Sequence, residues 1–108
     1  MIFPGQGEAS SAMRSLKEKG LDEVLRNLHQ PFLGVCLGMQ LMCESSEEND
    51  TDCLGIIPQK VVRFDSRDVK VPHMGWNQVE QIAHPLWQDI KDQSRFYFVH
   101  SYFVTADD

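Results

Sequence analysis

This chain has no apolar run near the length of about 20 residues that a membrane-spanning helix needs, so a helical anchor is excluded and no membrane partner is expected. Its opening, Met1-Ile2-Phe3-Pro4, has neither a basic leader nor an apolar signal core, and no export signal is read there. Basic residues are few: ten Lys and Arg stand against sixteen Asp and Glu, a net charge of −6. They are also scattered, the closest grouping being Arg14, Lys17 and Lys19, which reads as a solvated helix face. Binding along a phosphate backbone needs such residues clustered, so nucleic acid is excluded as a partner. Cys36, Cys43 and Cys53 form no C-x-x-C pair, which excludes a disulfide scaffold and fits a reducing, cytoplasmic setting. No set of His, Cys and acidic residues has metal-ligand spacing, so neither a metal nor a cofactor is expected. Internal repeats and low-complexity tracts are lacking too.

What is present is ordinary in bulk and specific in detail. The 108 residues, 42% hydrophobic and 24% charged, suffice for one small globular domain. Ile2-Phe3 reads as the end of a buried strand, and Pro4-Gly5-Gln6-Gly7 as a turn. Glu8 to Lys19 has helical spacing, with Ala9, Ala12, Met13 and Leu16 on one face, Ser10 or Ser11 as cap and Gly20 as stop. A second helix is predicted from Asp22 to about Leu28, turning Leu21, Val24, Leu25 and Leu28 inward. Phe32 to Val35 is a short apolar strand, followed by a helix to roughly Cys43. Glu44 to Asp52 is polar and acidic and reads as an exposed loop. Strands are predicted at Leu54 to Ile57, Lys60 to Phe64, Val69 to Val71, Gly75 to Ile82, Arg95 to Val99 and Tyr102 to Val104, with a helical turn at Pro85 to Ile90. Helices alternate with strands in the first third and strands dominate the rest, an α/β pattern with an antiparallel extension. Apolar strands at both termini give the reading of an internal piece of a larger α/β domain, incomplete at both ends.

The most informative stretch is Gly34-Val35-Cys36-Leu37-Gly38-Met39-Gln40. A cysteine between two glycines, where a strand turns into a helix, reads as a nucleophile on a sharp elbow, because crowded backbone there leaves no room for side chains. The same turn places the sulfur at a helix N-terminus, where the thiolate is favoured. For Cys43 and Cys53 the plainer reading holds, one buried on a helix and one in a loop. His73 and His100 read as structural, and the acidic run from Glu44 to Asp52 as solvated. Trp76 reads either as core or, because Gly75 and Asn77 are poor strand formers, as part of a special loop or surface.

The elbow stretch resembles the class I glutamine amidotransferases. Val71-Pro72-His73-Met74-Gly75-Trp76-Asn77, Tyr97-Phe98-Val99-His100-Ser101-Tyr102 and Phe3-Pro4-Gly5-Gln6-Gly7 resemble, within them, the glutaminase subunits of imidazole glycerol phosphate synthases. The resemblance spans essentially the whole chain. It implies a three-layer, flavodoxin-like α/β fold with a mixed sheet, and one partial amidotransferase domain over residues 1–108. It implies hydrolysis of L-glutamine to glutamate and ammonia, and a (β/α)8-barrel cyclase partner that uses the ammonia in histidine biosynthesis. Cys36 would be the nucleophile. Leu37 N–H and the Gly5–Gly7 turn would supply oxyanion donors. Gln40, with the backbone near Ser101 and Tyr102, would hold the amino-acid end of the substrate. Trp76, Asn77 and Tyr97 would lie towards the cyclase.

Two departures stand out. Gln6 occupies a position where the family commonly has a small apolar residue. The family's base, a histidine in a His-Pro-Glu block near the C-terminus, falls beyond this chain, so the 108 residues alone are expected to be inactive. His84-Pro85 has Leu86 in place of the glutamate and precedes the Phe-Val-His-Ser-Tyr block, so it reads as a helix start. Two rival readings are another amidotransferase, of the anthranilate or guanylate type, and a non-catalytic remnant or thiol sensor using Cys36.

Overall fold

The computed structural model describes residues 1–106. The chain divides into two compact units, one made of Met1–Phe64 with the strand that starts at Tyr102, the other of Asp65–Ser101.

In the first unit β1 (Ile2–Phe3) and β2 (Leu33–Gly34) run parallel, with Ile2 opposite Leu33 and Phe3 opposite Gly34. Helix α1 (Ala9–Glu18) and helix α2 (Leu21–Arg26) lie between them in sequence. Helix α3 (Leu37–Met42) follows β2 after a two-residue bend. Strands β3 (Ser45–Ser46), β4 (Thr51–Asp52), β5 (Lys60–Arg63) and β8 (Tyr102–Val104) form a mixed sheet in the order β4-β3-β5-β8. In it β3 runs parallel to β5, while β4 and β8 run antiparallel to their neighbours. The second unit is a two-stranded antiparallel ribbon, β6 (His73–Gln78) with β7 (Arg95–His100), carrying a 3-10 turn at Pro85–Trp87.

The core of the first unit is the apolar stripe of α1 against α2 and α3: Ala9, Met13, Leu25, Leu37 and Leu41 pack with Cys53 and Leu54. Phe3, Ala12, Leu16, Leu28 and Phe32 border it, so the helical spacing of α1 is the spacing of its buried face. Val61 is fully buried in the mixed sheet.

Several expectations are corrected. The cap of α1 is the Glu8 side chain, which accepts from Ser10 N and Ser11 N at 2.8 Å, and not Ser10 or Ser11. Two residues before Ser10 and three before Ser11, it reaches both free amides with its longer side chain. Helix α2 turns only Leu25 fully inward, while Leu21 and Val24 are exposed. With six residues it has one face to bury, and Arg26 on its flank reaches Leu54 O at 2.9 Å. Ile2 is exposed instead of buried. The acidic stretch Glu44 to Asp52 is a β-hairpin and not a loop. Its four-residue turn places Asn49 and Asp50 at positive φ, which Asn and Asp tolerate better than most residues, and it buries Ser46 and Thr51. Leu54 to Ile57 is not a strand: its amides instead bond back to the end of α3, Leu54 N to Leu41 O and Ile57 N to Met42 O, both 2.8 Å. Val69 to Val71 is not a strand either. Val69 N closes a turn on Asp65 O, and Asp65 accepts from Arg67 N and its guanidinium. The strand expected from Gly75 to Ile82 starts earlier and ends at Gln78, and the helix at Pro85 to Ile90 is a single 3-10 turn. His84 caps that turn, its Nδ1 accepting from Leu86 N at 3.0 Å, in keeping with a helix start.

Candidate active site

The bend between β2 and α3 is held by contacts that only glycine allows. Val35 N donates to Phe3 O at 3.0 Å, which keeps the end of β1 against the bend. A Cβ on Gly38 would lie 2.6 Å from the Phe3 carbonyl carbon, and one on Gly34 would lie 2.7 Å from Met39 Cα and 2.9 Å from Met39 N. Both collisions are with backbone, which cannot swing aside. Strand, bend and helix therefore approach as closely as bare backbone permits, and Cys36 is thrown outward between them. Its φ of 53° with ψ of −118° is a conformation L-residues rarely adopt, with a cost of order 1–3 kcal/mol. The result is an exposed thiol on a rigid base, while Cys43 and Cys53 are buried.

Below the sulfur, α3 begins. Gln40 N donates to Cys36 O at 3.1 Å, one helical turn on from the cysteine. Gln40 is a buried polar residue, 6% exposed. Leu37 N donates to Gly5 O at 3.3 Å, so in this structure that amide is engaged by the turn whose amides were expected to act beside it. Gly7, with φ of 119°, has open space where a Cβ would stand. Cys36, Leu37, Gln40, Gly5 and Gly7 thus all belong to one unit, with a direct hydrogen bond tying the turn to the elbow. Ser101 ends the ribbon unit and Tyr102 opens β8 of the other, opposite Arg63.

Two residues read as solvated prove to matter for the start of α1. Glu48, in the turn of the acidic hairpin, accepts from Ala9 N at 2.7 Å, and Asn49 Nδ2 donates to Glu8 Oε1 at 2.5 Å. The hydrogen bonds that the Glu8 carboxylate accepts from Ser10, Asn49 and Ser11 hold it far below the ordinary carboxylate range. The glycine turn is consequently anchored at both ends, by Phe3 on β2 and by Ala9 on the hairpin. No sequence signal links positions 8–9 to 48–49, because they meet only through tertiary structure. Desolvation pushes the Cys43 thiol up, and pushes Cys53 up to about 11.

In the ribbon, Trp76 faces Tyr97 across the strands, ring centroids 5.5 Å apart and edge to face. Met74 and Val99 continue the same face. All four are more than half exposed: Met74 62%, Trp76 65%, Tyr97 54%, Val99 52%. Of the two readings of Trp76, surface holds and core does not. Asn77 pairs with Phe96 and lies on the opposite face, because successive strand residues alternate.

A strand, an elbow cysteine, a glycine turn bonded to it and a helix beneath stand together in one unit, and the model of the family Glutamine amidotransferase class-I matches residues 1–108. The chain belongs to this family, which carries a mixed α/β architecture with a mixed sheet, consistent with a flavodoxin-like fold.

Among its relatives it is 54% identical to imidazole glycerol phosphate synthase subunit HisH of Thiobacillus denitrificans, over 96% of this chain and 50% of that protein. It is 50% identical to HisH 1 of Pseudomonas aeruginosa, over 98% of this chain and 54% of the relative. With HisH of Bacteroides fragilis it shares 49% identity, over 100% of this chain and 56% of the relative. The chain spans about half the length of the curated relatives it matches. Among the described residues no helix is long and apolar enough to cross a membrane.

Proposed function

We propose that this chain carries the nucleophile portion of a glutaminase that serves an imidazole glycerol phosphate synthase in histidine biosynthesis. The supporting observation is the Cys36 elbow: an exposed sulfur at φ of 53° over a helix start, on a bend that side chains would destroy. In this reading the thiolate attacks the side-chain carbonyl carbon of L-glutamine, and the C=O electron pair moves to oxygen. Backbone N–H groups meet the oxyanion. The Leu37 amide is one such donor, and it can act only once its bond to Gly5 O gives way. The C–N bond then breaks, ammonia leaves with a proton from an imidazole, and water cleaves the thioester to release glutamate. The imidazole, with its glutamate, is assigned to a segment outside residues 1–108, which makes this chain a partial amidotransferase domain, inactive alone. Gln40 and the backbone at Ser101 and Tyr102 hold the amino-acid end of glutamine.

The ammonia passes to a (β/α)8-barrel cyclase, and the exposed face of Trp76 and Tyr97 is the side towards that partner, with Asn77 next to Trp76 in the chain but on the ribbon's other face. What supports this part is the relatives' identity as synthase subunits and a ribbon face on which four large apolar side chains are more than half exposed. The setting is the cytoplasm, where free Cys36 stays reduced.

Glutamate release from glutamine, measured with the cyclase present, tests the reading. The 108 residues give none. A chain extended through the missing base gives turnover that Cys36→Ser abolishes. Turnover by the 108 residues alone would overturn the assignment of the base. Capture of an anthranilate or guanylate synthase in place of the cyclase would move the chain to those pathways. Equal iodoacetamide labelling of Cys36, Cys43 and Cys53, without protection by a glutamine analogue, would support a non-catalytic remnant.

A further inference from the structure

The turn Pro4-Gly5-Gln6-Gly7 has little packing of its own. All four residues are exposed, and a Cβ at Gly7 would meet nothing. Its path is set by its two ends and by the bond from Leu37 N to Gly5 O. One end is Phe3, whose carbonyl accepts from Val35 N at the elbow. The other is Ala9, fully buried, whose amide donates to the Glu48 carboxylate at 2.7 Å across 39 positions of sequence. Glu48 is itself held on both sides of its backbone. Its N–H donates to Ser46 Oγ at 3.1 Å and its C=O accepts from Thr51 Oγ1 at 2.7 Å, and Ser46 and Thr51 are both buried. Asn49, at φ of 54°, adds a second strut by donating from Nδ2 to Glu8 Oε1 at 2.5 Å. A hairpin that only reached into water would need none of these bonds.

We propose that Glu48 is a positioning residue, a clamp through which the acidic hairpin fixes where the Gly5–Gly7 turn stands beside the elbow. Its consequence rests on the glutaminase reading, in which amides of this turn meet the oxyanion. Such donors must be held within about 0.5 Å of their productive geometry, and that precision comes from supporting residues that are themselves locked. The two buried hydroxyls supply the lock: they fix the backbone of Glu48, and its carboxylate fixes Ala9, two residues beyond Gly7. Glu48 acts through the turn and not on the reacting atoms. It also completes the capping of α1, since Glu8 serves only the next two amides. The two roles separate by measurement, because a cap changes stability while a clamp also changes the order of the turn and the rate of the chemical step.

The test uses the chain extended through the base. Glu48→Ala removes the grip on Ala9, and Glu48→Gln keeps an acceptor oxygen of the same reach. Backbone 15N relaxation at Gly5, Gln6 and Gly7 is read first. Order parameters there are expected to fall below about 0.6 in Glu48→Ala and to keep the parent's values in Glu48→Gln. Glutamate release with the cyclase present is read second. Glu48→Ala lowers kcat by about tenfold or more, short of the roughly 10²–10³-fold that loss of a whole oxyanion donor costs. KM stays within about twofold, because the turn serves the transition state and not the amino-acid end of the substrate. Glu48→Gln recovers most of the rate. Leu16→Ala, which loosens α1 away from the turn, lowers the melting temperature and leaves kcat unchanged. Order parameters indifferent to Glu48, or a loosened turn with kcat kept, overturn the proposal. If the parent itself releases no glutamate, the glutaminase reading is what fails, and the order parameters still decide whether Glu48 holds the turn.

Discussion

The elbow and the ribbon use apolar and small residues in opposite ways. At the elbow, small residues are buried and do the shaping: Gly34 and Gly38 are needed because backbone lies where a Cβ would go, and Leu37, Leu41 and Met42 fill the space beneath. In the ribbon, large residues are exposed. Met74, Trp76, Tyr97 and Val99 make one continuous apolar face in solvent. The elbow's geometry is fixed by its own unit. A two-stranded ribbon is marginal by itself, and its apolar face is suited to being covered. The lesson is that residue size says little without register and close-approach information. A glycine here is a core residue in all but side chain, and a tryptophan is a surface one.

The sharpest way to break that contrast is to fill the elbow. Gly38→Ala sets a methyl against the Phe3 carbonyl, and only a shift of β1 from α3 can relieve it. A loss of about 3 kcal/mol or more in urea unfolding is expected. Gly34→Ala meets Met39 backbone and Met42 sulfur and falls in the same range. A Gly38→Ala chain that unfolds like the parent would show the bend to be far softer than described. Second in size is Leu41→Ala, which leaves a void between α3 and α1 and is expected to cost about 2–5 kcal/mol.

That ranking also marks what was legible beforehand. The elbow could be read because its chemistry is local: Gly, Cys and Gly at fixed spacing make a short-range demand on the backbone. The face of α1 was legible for the same reason, its period being that of the helix. The acidic hairpin was not. Polar residues at 44–52 suggest solvent, yet Ser46 and Thr51 are buried because the hairpin packs its middle inward and points Glu48 at the N-terminus of α1. Leu54 to Ile57 looked like a strand from its composition, but its hydrogen bonds are taken by the end of α3. In the candidate site, the sequence proposes Cys36, Leu37, Gln40 and the glycine turn, and the structure sets all of them in one unit. The engagement of Leu37 N by Gly5 O was not legible, since peptide orientation leaves no trace in residue identity.

A smaller effect sharpens the ribbon side. Trp76→Ala removes an edge-to-face contact with Tyr97 at the surface, so stability falls by about 0.5–1.5 kcal/mol at most. If the ribbon face docks on the cyclase, the same substitution weakens that complex by about 2 kcal/mol or more, as buried tryptophan anchors do. Surface plasmon resonance against the barrel partner measures it. Unchanged affinity would leave Trp76 as surface and remove it from the interface.

The smallest effects concern charge within the first unit, and their signs differ. Glu8 is depressed by its hydrogen bonds, so its contribution is present above the ordinary carboxylate range and is lost as pH falls through and below it. Glu8→Gln should flatten the acid limb of a thermal-melting profile. Cys53 is raised by burial, so its contribution is complete below about pH 9 and declines as pH rises towards about 11. Cys53→Ala should flatten the alkaline limb in turn. The same burial sets thiol reactivity, because the thiolate is the reacting form. Iodoacetamide at pH 8 should modify Cys36 well before Cys43 or Cys53, read by peptide mass. Preferential labelling of either buried thiol would mean that α3 and the hairpin part readily, and the elbow would lose the rigid base on which its sulfur is held.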